Sequence, residues 1–158
     1  MSEKKVTNIV VAGLGGQGVL TATDIVADVA ANAGLDVKKS ELHGMSQRGG
    51  SVSSDVRFGP QVFSPMVPEG EADYLVVIAS DQIPVNRAVL GPRGVLIEPV
   101  HVNESQLSNK KSMNVALLGV LSRYLEFREE SWLAAIQRNL PDSIYDANVQ
   151  AFRLGKNG

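Results

Sequence analysis

Apolar positions in this chain follow two periods that alternate through its first hundred residues. Residues 6–12, Val-Thr-Asn-Ile-Val-Val-Ala, form a short β-branched run that reads as a buried parallel strand stopped by Gly13. Beyond a glycine-rich stretch, Val19, Ala22, Val26, Val29 and Ala33 recur at steps of three and four, with Leu20, Ile25 and Ala30 widening the stripe. That spacing predicts an amphipathic helix, and Gly34 supplies its stop. Residues 36–42 read as a second strand carrying Val37 inward, so the chain opens as βαβ.

From Ser51 to Phe58 the apolar positions alternate at period two as Val52, Val56 and Phe58, with Ser54 breaking the face. Gly59-Pro60 then predicts a turn, and residues 61–63 a short strand pairing back as a hairpin. Residues 74–79, Tyr-Leu-Val-Val-Ile-Ala, are the most apolar run and predict a central parallel strand ending at Ser80 and Asp81. Asp81 is placed to cap a short helix through Leu90, closed by Gly91-Pro92, with residues 94–98 as the next strand. Thereafter the period is helical. Met113, Ala116, Leu117, Val120, Leu121 and Tyr124 mark one helix, whose Gly119 predicts close packing. A second begins at Ser131, carries Trp132, Ala135 and Ile136, and ends before Pro141; a third runs to Leu154 with Gly155 as its C-terminal cap. The expectation is an α/β, three-layer Rossmann-like domain with a mostly parallel sheet, a short antiparallel hairpin and a helical C-terminal part. No repeat or linker divides residues 1–158, so a single domain is expected.

Composition narrows the chemistry. The chain has 158 residues, 44% apolar and 20% charged, with a net charge of -2 and no basic stripe, which argues against nucleic acid as partner. No cysteine is present, which removes thiolate catalysis and cysteine-ligated zinc or iron–sulfur sites from this chain. The N-terminal residues carry mixed charge without a long apolar region, and no run reaches the ~20 residues that span a bilayer. A cytoplasmic, soluble protein is expected.

Two glycine-rich stretches remain, residues 13–18 (Gly-Leu-Gly-Gly-Gln-Gly) and 43–50 (His-Gly-Met-Ser-Gln-Arg-Gly-Gly). Gly13, Gly15 and Gly18 sit between a strand and a helix, where glycines let a pyrophosphate approach the helix N-terminus. The acidic ribose ligand that should end the second strand is missing, with only Glu41 near the position; Lys38 and Lys39 leave a 2′-phosphate open. A structural turn or a subunit contact accounts for the same glycines. Arg48 presents a fork for a carboxylate or phosphate on a ligand or partner, or for an internal ion pair. His43 and His101 lack companion metal ligands, and Ser46 and Ser80 lack a G-x-S-x-G elbow, so no catalytic or metal-binding residue is assigned.

The two stretches together resemble those of the gamma subunit, or gamma domain, of the 2-oxoacid:ferredoxin oxidoreductases. The likeness extends through Gly34, Asp55-Val56-Arg57, Ser64-Pro65, Glu71-Ala72-Asp73-Tyr74-Leu75, Asn114 with Leu118-Gly119, and Asn148 with Ala151-Phe152 and Gly155. The His-Gly-Met-Ser-Gln-Arg-Gly-Gly form is most similar to the small, beta-designated subunit of the indolepyruvate enzymes. Subunits acting on pyruvate, 2-oxoisovalerate or 2-oxoglutarate more often carry Tyr-Gly-x-x-x-Arg-Gly-Gly.

The resemblance implies an accessory subunit of a complex that oxidatively decarboxylates a 2-oxo acid to an acyl-CoA and reduces ferredoxin. Thiamine diphosphate, magnesium, iron–sulfur clusters and coenzyme A then belong to the assembled complex, with no cofactor held by this chain alone. Its partners are the thiamine- and cluster-binding subunits. The residues implied at a cofactor or subunit interface are Gly13, Gly15, Gly16, Gln17, Gly18, His43, Gly44, Ser46, Gln47, Arg48, Gly49 and Gly50. A free-standing NAD(P)-binding or redox-sensing module, and a structural α/β interaction protein, are the competing readings.

Overall fold

The structure is a computed structural model and describes residues 6–43 and 50–158, with Leu42 and His43 as backbone only. Five strands, β1 (Thr7–Leu14), β2 (Asp36–His43), β3 (Ser51–Gly59), β4 (Ala72–Val77) and β5 (Leu90–Ile97), form one sheet in the order β2-β3-β1-β4-β5. β1 pairs parallel with β4 and β4 with β5, while β3 is antiparallel to both β1 and β2. Four strands therefore point one way and β3 alone runs against them, which is the mostly parallel α/β sheet expected.

Its details, and those of the helices, differ from the sequence expectation in several places. The helix α1 (Val19–Asn32) joins β1 to β2, but β3 fills the place between them, so the opening is a split βαβ. The antiparallel hairpin is β2 with β3, from Asp36↔Gly59 to His43↔Val52, and residues 61–63 form no strand. Those residues lack a free edge to pair with, since β3 already bonds on both sides. Asp81 does not cap a helix: it lies inside a 3₁₀ turn, Ser80–Gln82, whose N-cap is Ala79. The one-turn helix α2 (Ile83–Asn86) follows, and Gly91-Pro92 belong to β5 rather than closing a helix.

Period-two alternation sorts the strand side chains onto two unequal faces. Ile9, Val11, Val56, Phe58, Val76 and Ile97 point to the larger core, which is roofed by α1, α3 (Met113–Ser122), α4 (Glu129–Asn139) and α5 (Tyr145–Asn157). Ser54, the break in that face, is fully buried there, and its hydroxyl lies 2.9 Å from that of Thr23 on α1. A polar pair so buried is satisfied by its own bond. The other face, Val10, Ala12, Leu75 and Val77, is covered thinly by Val67 and Ile83.

The polar residues that alternate with the core positions hold down the loop crossing this thin face. Asp36 accepts from Val62 N–H and Asp55 from Val67 N–H, both at 2.8 Å. Arg57 donates to the carbonyls of Ser64 and Met66 and, through Nε, to Asn8 Oδ1. Burial pushes the Asp55 carboxyl up, against the opposing pull of the Val67 amide and Arg57.

All ten residues of α3 are buried, and it crosses α5 with the two backbones nearly touching at Gly119 and Gly155. Gly155 thus lies inside α5 as a packing residue, not at its cap; the last carbonyls are met instead by Arg123, which donates to Gly155, Lys156 and Gly158. Helix α4 begins two residues before Ser131, with Arg128 at its N-cap. No helix among the described residues is long and apolar enough to cross a membrane.

Asp28 on α1 ties this helix to α4, accepting from Arg138 Nη2 at 2.6 Å and Asn139 Nδ2 at 2.9 Å. The Arg138 bond, followed by Asn139, outweighs burial and holds the Asp28 carboxyl below the ordinary 3.8. A depressed folded value means that the stabilisation is whole above the unfolded value and is lost as pH falls through the folded one. Urea unfolding should show wild type ahead of Asp28→Asn at neutral pH and the gap closing as pH drops below 3.8. A gap that stays constant into that acid range contradicts this account.

Candidate functional site

Because four strands share a direction, their carboxyl ends gather at one edge of the sheet. The turn after β1 is built from glycines for identifiable reasons. Gly16 and Gly18 have φ of 89° and 80°, in the left-handed region that side chains resist. A Cβ on Gly13 would stand 2.9 Å from Gln17 Oε1 and 3.1 Å from Val19 Cγ2. Gln17 folds back to accept from Leu14 N–H at 2.7 Å, closing the turn on itself.

Long-range bonds join this turn to its neighbours. Gly15 N–H donates to the Gly50 carbonyl at 2.9 Å, so the first glycine stretch is bonded to the end of the second. Ser51 donates to Gln82 Oε1 at 2.6 Å, linking the start of β3 to the turn after β4. From α3, Asn114 Nδ2 donates to the Gly18 carbonyl at 3.1 Å.

Beside the glycine turn lies a cleft of about 430 Å³, lined by Gly16 and Gln17, Ser80, Pro99, Glu104 and the Lys110-Lys111 pair that precedes α3. It sits where the chain leaves β1 toward α1 on one face and β4 toward α2 on the other. Open α/β sheets place ligands at such a switch point. Two ammonium groups beside a glycine turn at a helix N-terminus suit the phosphates of an anionic ligand.

Gly13, Gly15, Gly16, Gln17, Gly18 and Gly50 therefore share one edge, and the backbone of His43 ends β2 there. Gly44, Ser46, Gln47, Arg48 and Gly49 lie outside the described residues. Lys110, Lys111 and Ser80 are additions to the residues expected from the sequence. Only the crossover after β5 brings the lysines to Gly16, and nothing in local spacing announces it.

The dinucleotide arrangement fails on strand order. Its ribose acid must end the strand next to β1, but β2 and Glu41 lie two strands away, about 10 Å at the usual strand spacing. His101 is accounted for locally, accepting from Glu98 N–H at 3.1 Å in a 3₁₀ turn. Among the described residues no three His, Cys, Asp or Glu side chains gather as a metal site.

One reversed strand and the order β2-β3-β1-β4-β5 define an α/β domain that departs from the dinucleotide-binding arrangement. The family model described as pyruvate ferredoxin/flavodoxin oxidoreductase matches residues 8–99 and 99–158, and the chain belongs to that family. It is 33% identical over 189 aligned positions to the indolepyruvate oxidoreductase subunit IorB of Archaeoglobus fulgidus, covering 95% of this chain and 94% of that one. The IorB subunit of Thermococcus kodakarensis is likewise 33% identical, over 94% of this chain and 93% of its own length.

Solved structures share the fold. The pyruvate oxidoreductase subunit PORC of Thermotoga maritima superposes with a TM-score of 0.77 at 23% identity, over 98% of this chain and 97% of that one. A 2-oxoglutarate:ferredoxin oxidoreductase of Magnetococcus marinus, solved with 2-oxoglutarate, coenzyme A and succinyl-CoA bound, gives 0.83 at 20% identity. It covers 98% of this chain and 31% of that chain, so the fold occurs both as a separate subunit and as part of a longer polypeptide.

Proposed function

We propose that this chain is the small accessory subunit of a cytoplasmic 2-oxoacid:ferredoxin oxidoreductase complex, acting on an arylpyruvate of the indolepyruvate kind. The complex releases carbon dioxide from the 2-oxo acid, transfers the acyl group to coenzyme A and passes the electrons to ferredoxin. Thiamine diphosphate, magnesium and the clusters reside in partner subunits; with no cysteine, this chain has no thiolate for a cluster.

The observation that carries the reading is the meeting of the two glycine stretches, Gly15 against Gly50, beside a cleft walled by Lys110 and Lys111. The donor set fits phosphates: the ammonium groups of Lys110 and Lys111 offer charge-assisted bonds to the diphosphate of coenzyme A. Partner subunits complete the cleft, and His43, Ser46, Gln47 and Arg48 are the residues assigned to contact them. The arylpyruvate assignment is supported by the IorB relatives at 33% identity.

Co-expression with the neighbouring genes should bring down larger thiamine- and cluster-binding chains. Within that complex, Arg48→Ala combined with Gly49→Val should abolish assembly or lower turnover at least about a hundredfold, the scale of a lost charged contact at an interface. The isolated chain should unfold as wild type does. A chain that purifies alone, with oxoacid oxidation undiminished by its deletion, overturns the proposal.

A further inference from the structure

The glycine turn and the lysine turn beside the cleft come from segments about ninety residues apart in sequence, and besides the apolar packing of α1 on α3 one hydrogen bond joins the helices that follow them among the described residues: Asn114 Nδ2 to the Gly18 carbonyl. Asn114 stands in the first turn of α3 and is 6% exposed, directly after the turn Lys110–Ser112 that carries both lysines. That lysine turn is itself fixed. The Asn109 side chain accepts from Lys111 N–H at 2.9 Å, and Ser112 donates to the Asn109 carbonyl at 2.6 Å. On the opposite wall Gln17 holds the glycine turn closed through Leu14 N–H. Each wall is locally rigid, so their separation depends on what ties them together.

Asn114 also explains why residue 18 is glycine. A Cβ there would run into the Asn114 carboxamide, so the side chain occupies the space that glycine leaves open. The carboxamide meets the carbonyl at the N-cap of α1, which simultaneously accepts from Ala22 N–H at 3.0 Å.

We infer that Asn114 is a positioning residue that sets the width of the cleft, holding Lys110 and Lys111 at the distance from the Gly16 turn that a diphosphate requires. The inference rests on the proposed function for the identity of the ligand. Loss of the bond lets the lysine wall drift and weakens capture of coenzyme A, whereas the chemistry performed by the partner subunits on bound substrate is untouched.

The test uses the co-expressed complex with Asn114→Ala and the near-isosteric Asn114→Asp, which keeps the packing and removes the donor. Both should raise KM for coenzyme A about tenfold, the loss of one buried hydrogen bond at roughly 1.4 kcal/mol per decade, with kcat within about twofold and KM for the 2-oxo acid unchanged. A purely structural Asn114 predicts a lower Tm with a wild-type KM for coenzyme A in the surviving complex, and that result overturns the inference. Lys110→Ala with Lys111→Ala separates the two levels. If the lysine pair raises KM and Asn114 does not, the positioning role fails alone; if neither moves it, the ligand assignment of the cleft fails as well.

Discussion

Gly155→Val should leave little or no folded protein, and Gly155→Ala should destabilise the chain by about 3 kcal/mol, the upper part of the usual range for overpacking. A Cβ on Gly155 runs into the Ala116 carbonyl and stands 2.9 Å from its carbon and 3.1 Å from Val120 N. These are backbone atoms of α3, so no rotamer change relieves them. Replacing glycine inside a helix would otherwise gain about 1 kcal/mol of propensity, and the collision outweighs that gain. In a chain of this length the net loss lowers Tm by about 6–12 °C. Gly119→Ala repeats the experiment from the opposite helix, since its Cβ strikes the Phe152 carbonyl and lies 2.8 Å from Lys156 N. Thermal and urea unfolding read both. Near-wild-type stability for either variant would show that α3 and α5 can separate cheaply, contrary to the packing described.

Trp132→Ala should cost about 4 kcal/mol, in the range for emptying a buried aromatic site. Trp132 is fully buried, its ring tilted against Phe152 at 5.5 Å and edge-on at 6.2 Å to Phe127, and so joins α4, α5 and the segment between α3 and α4. The informative companion is Trp132→Phe. Among the described residues the indole N–H has no hydrogen-bond acceptor, and such an orphan costs about 1–3 kcal/mol. Removing it with part of the ring offsets much of the lost packing, so the phenylalanine variant should lose less than about 2 kcal/mol. Equal losses for Phe and Ala in urea titrations would contradict this.

Much of the architecture was legible because burial imposes a period. The strand of residues 6–12, the stripe from Val19 to Ala33 and the run from Tyr74 each announce an element that the structure contains, and Gly119 signals the close helix crossing. Direction carries no such mark. Alternation along Ser51 to Phe58 is the same whichever way β3 runs, so its insertion between β1 and β2 was invisible. Ser54 looked like a flaw because its partner, Thr23, lies on another element. Asp81 and Gly155 misled for one reason: residue type suggested a cap, while position in the fold assigned a turn interior and a helix crossing. Of the cleft, the glycine turn was readable and the lysine wall was not, since only tertiary structure brings residues 110 and 111 to residue 16.

The reversed strand also bears on how the sheet opens. β2 finds its ladder partners in β3 alone, while β3 bonds to β1 along eight pairs. β2 and β3 therefore constitute a local unit, close in sequence, whose release from β1 leaves the β1–β4–β5 ladder paired but breaks the Ser54–Thr23 bond and uncovers Val56 and Phe58 from the helical roof. Sub-global openings of this kind surface in amide exchange as a block of amides sharing one protection free energy below the global value. In sequence, residues 44–50 connect the two strands. Anything that seats against the connection stabilises the closed form by mass action, so assembly with partner subunits should be recorded as slowed exchange in β2 and β3, far along the strands from the point of contact.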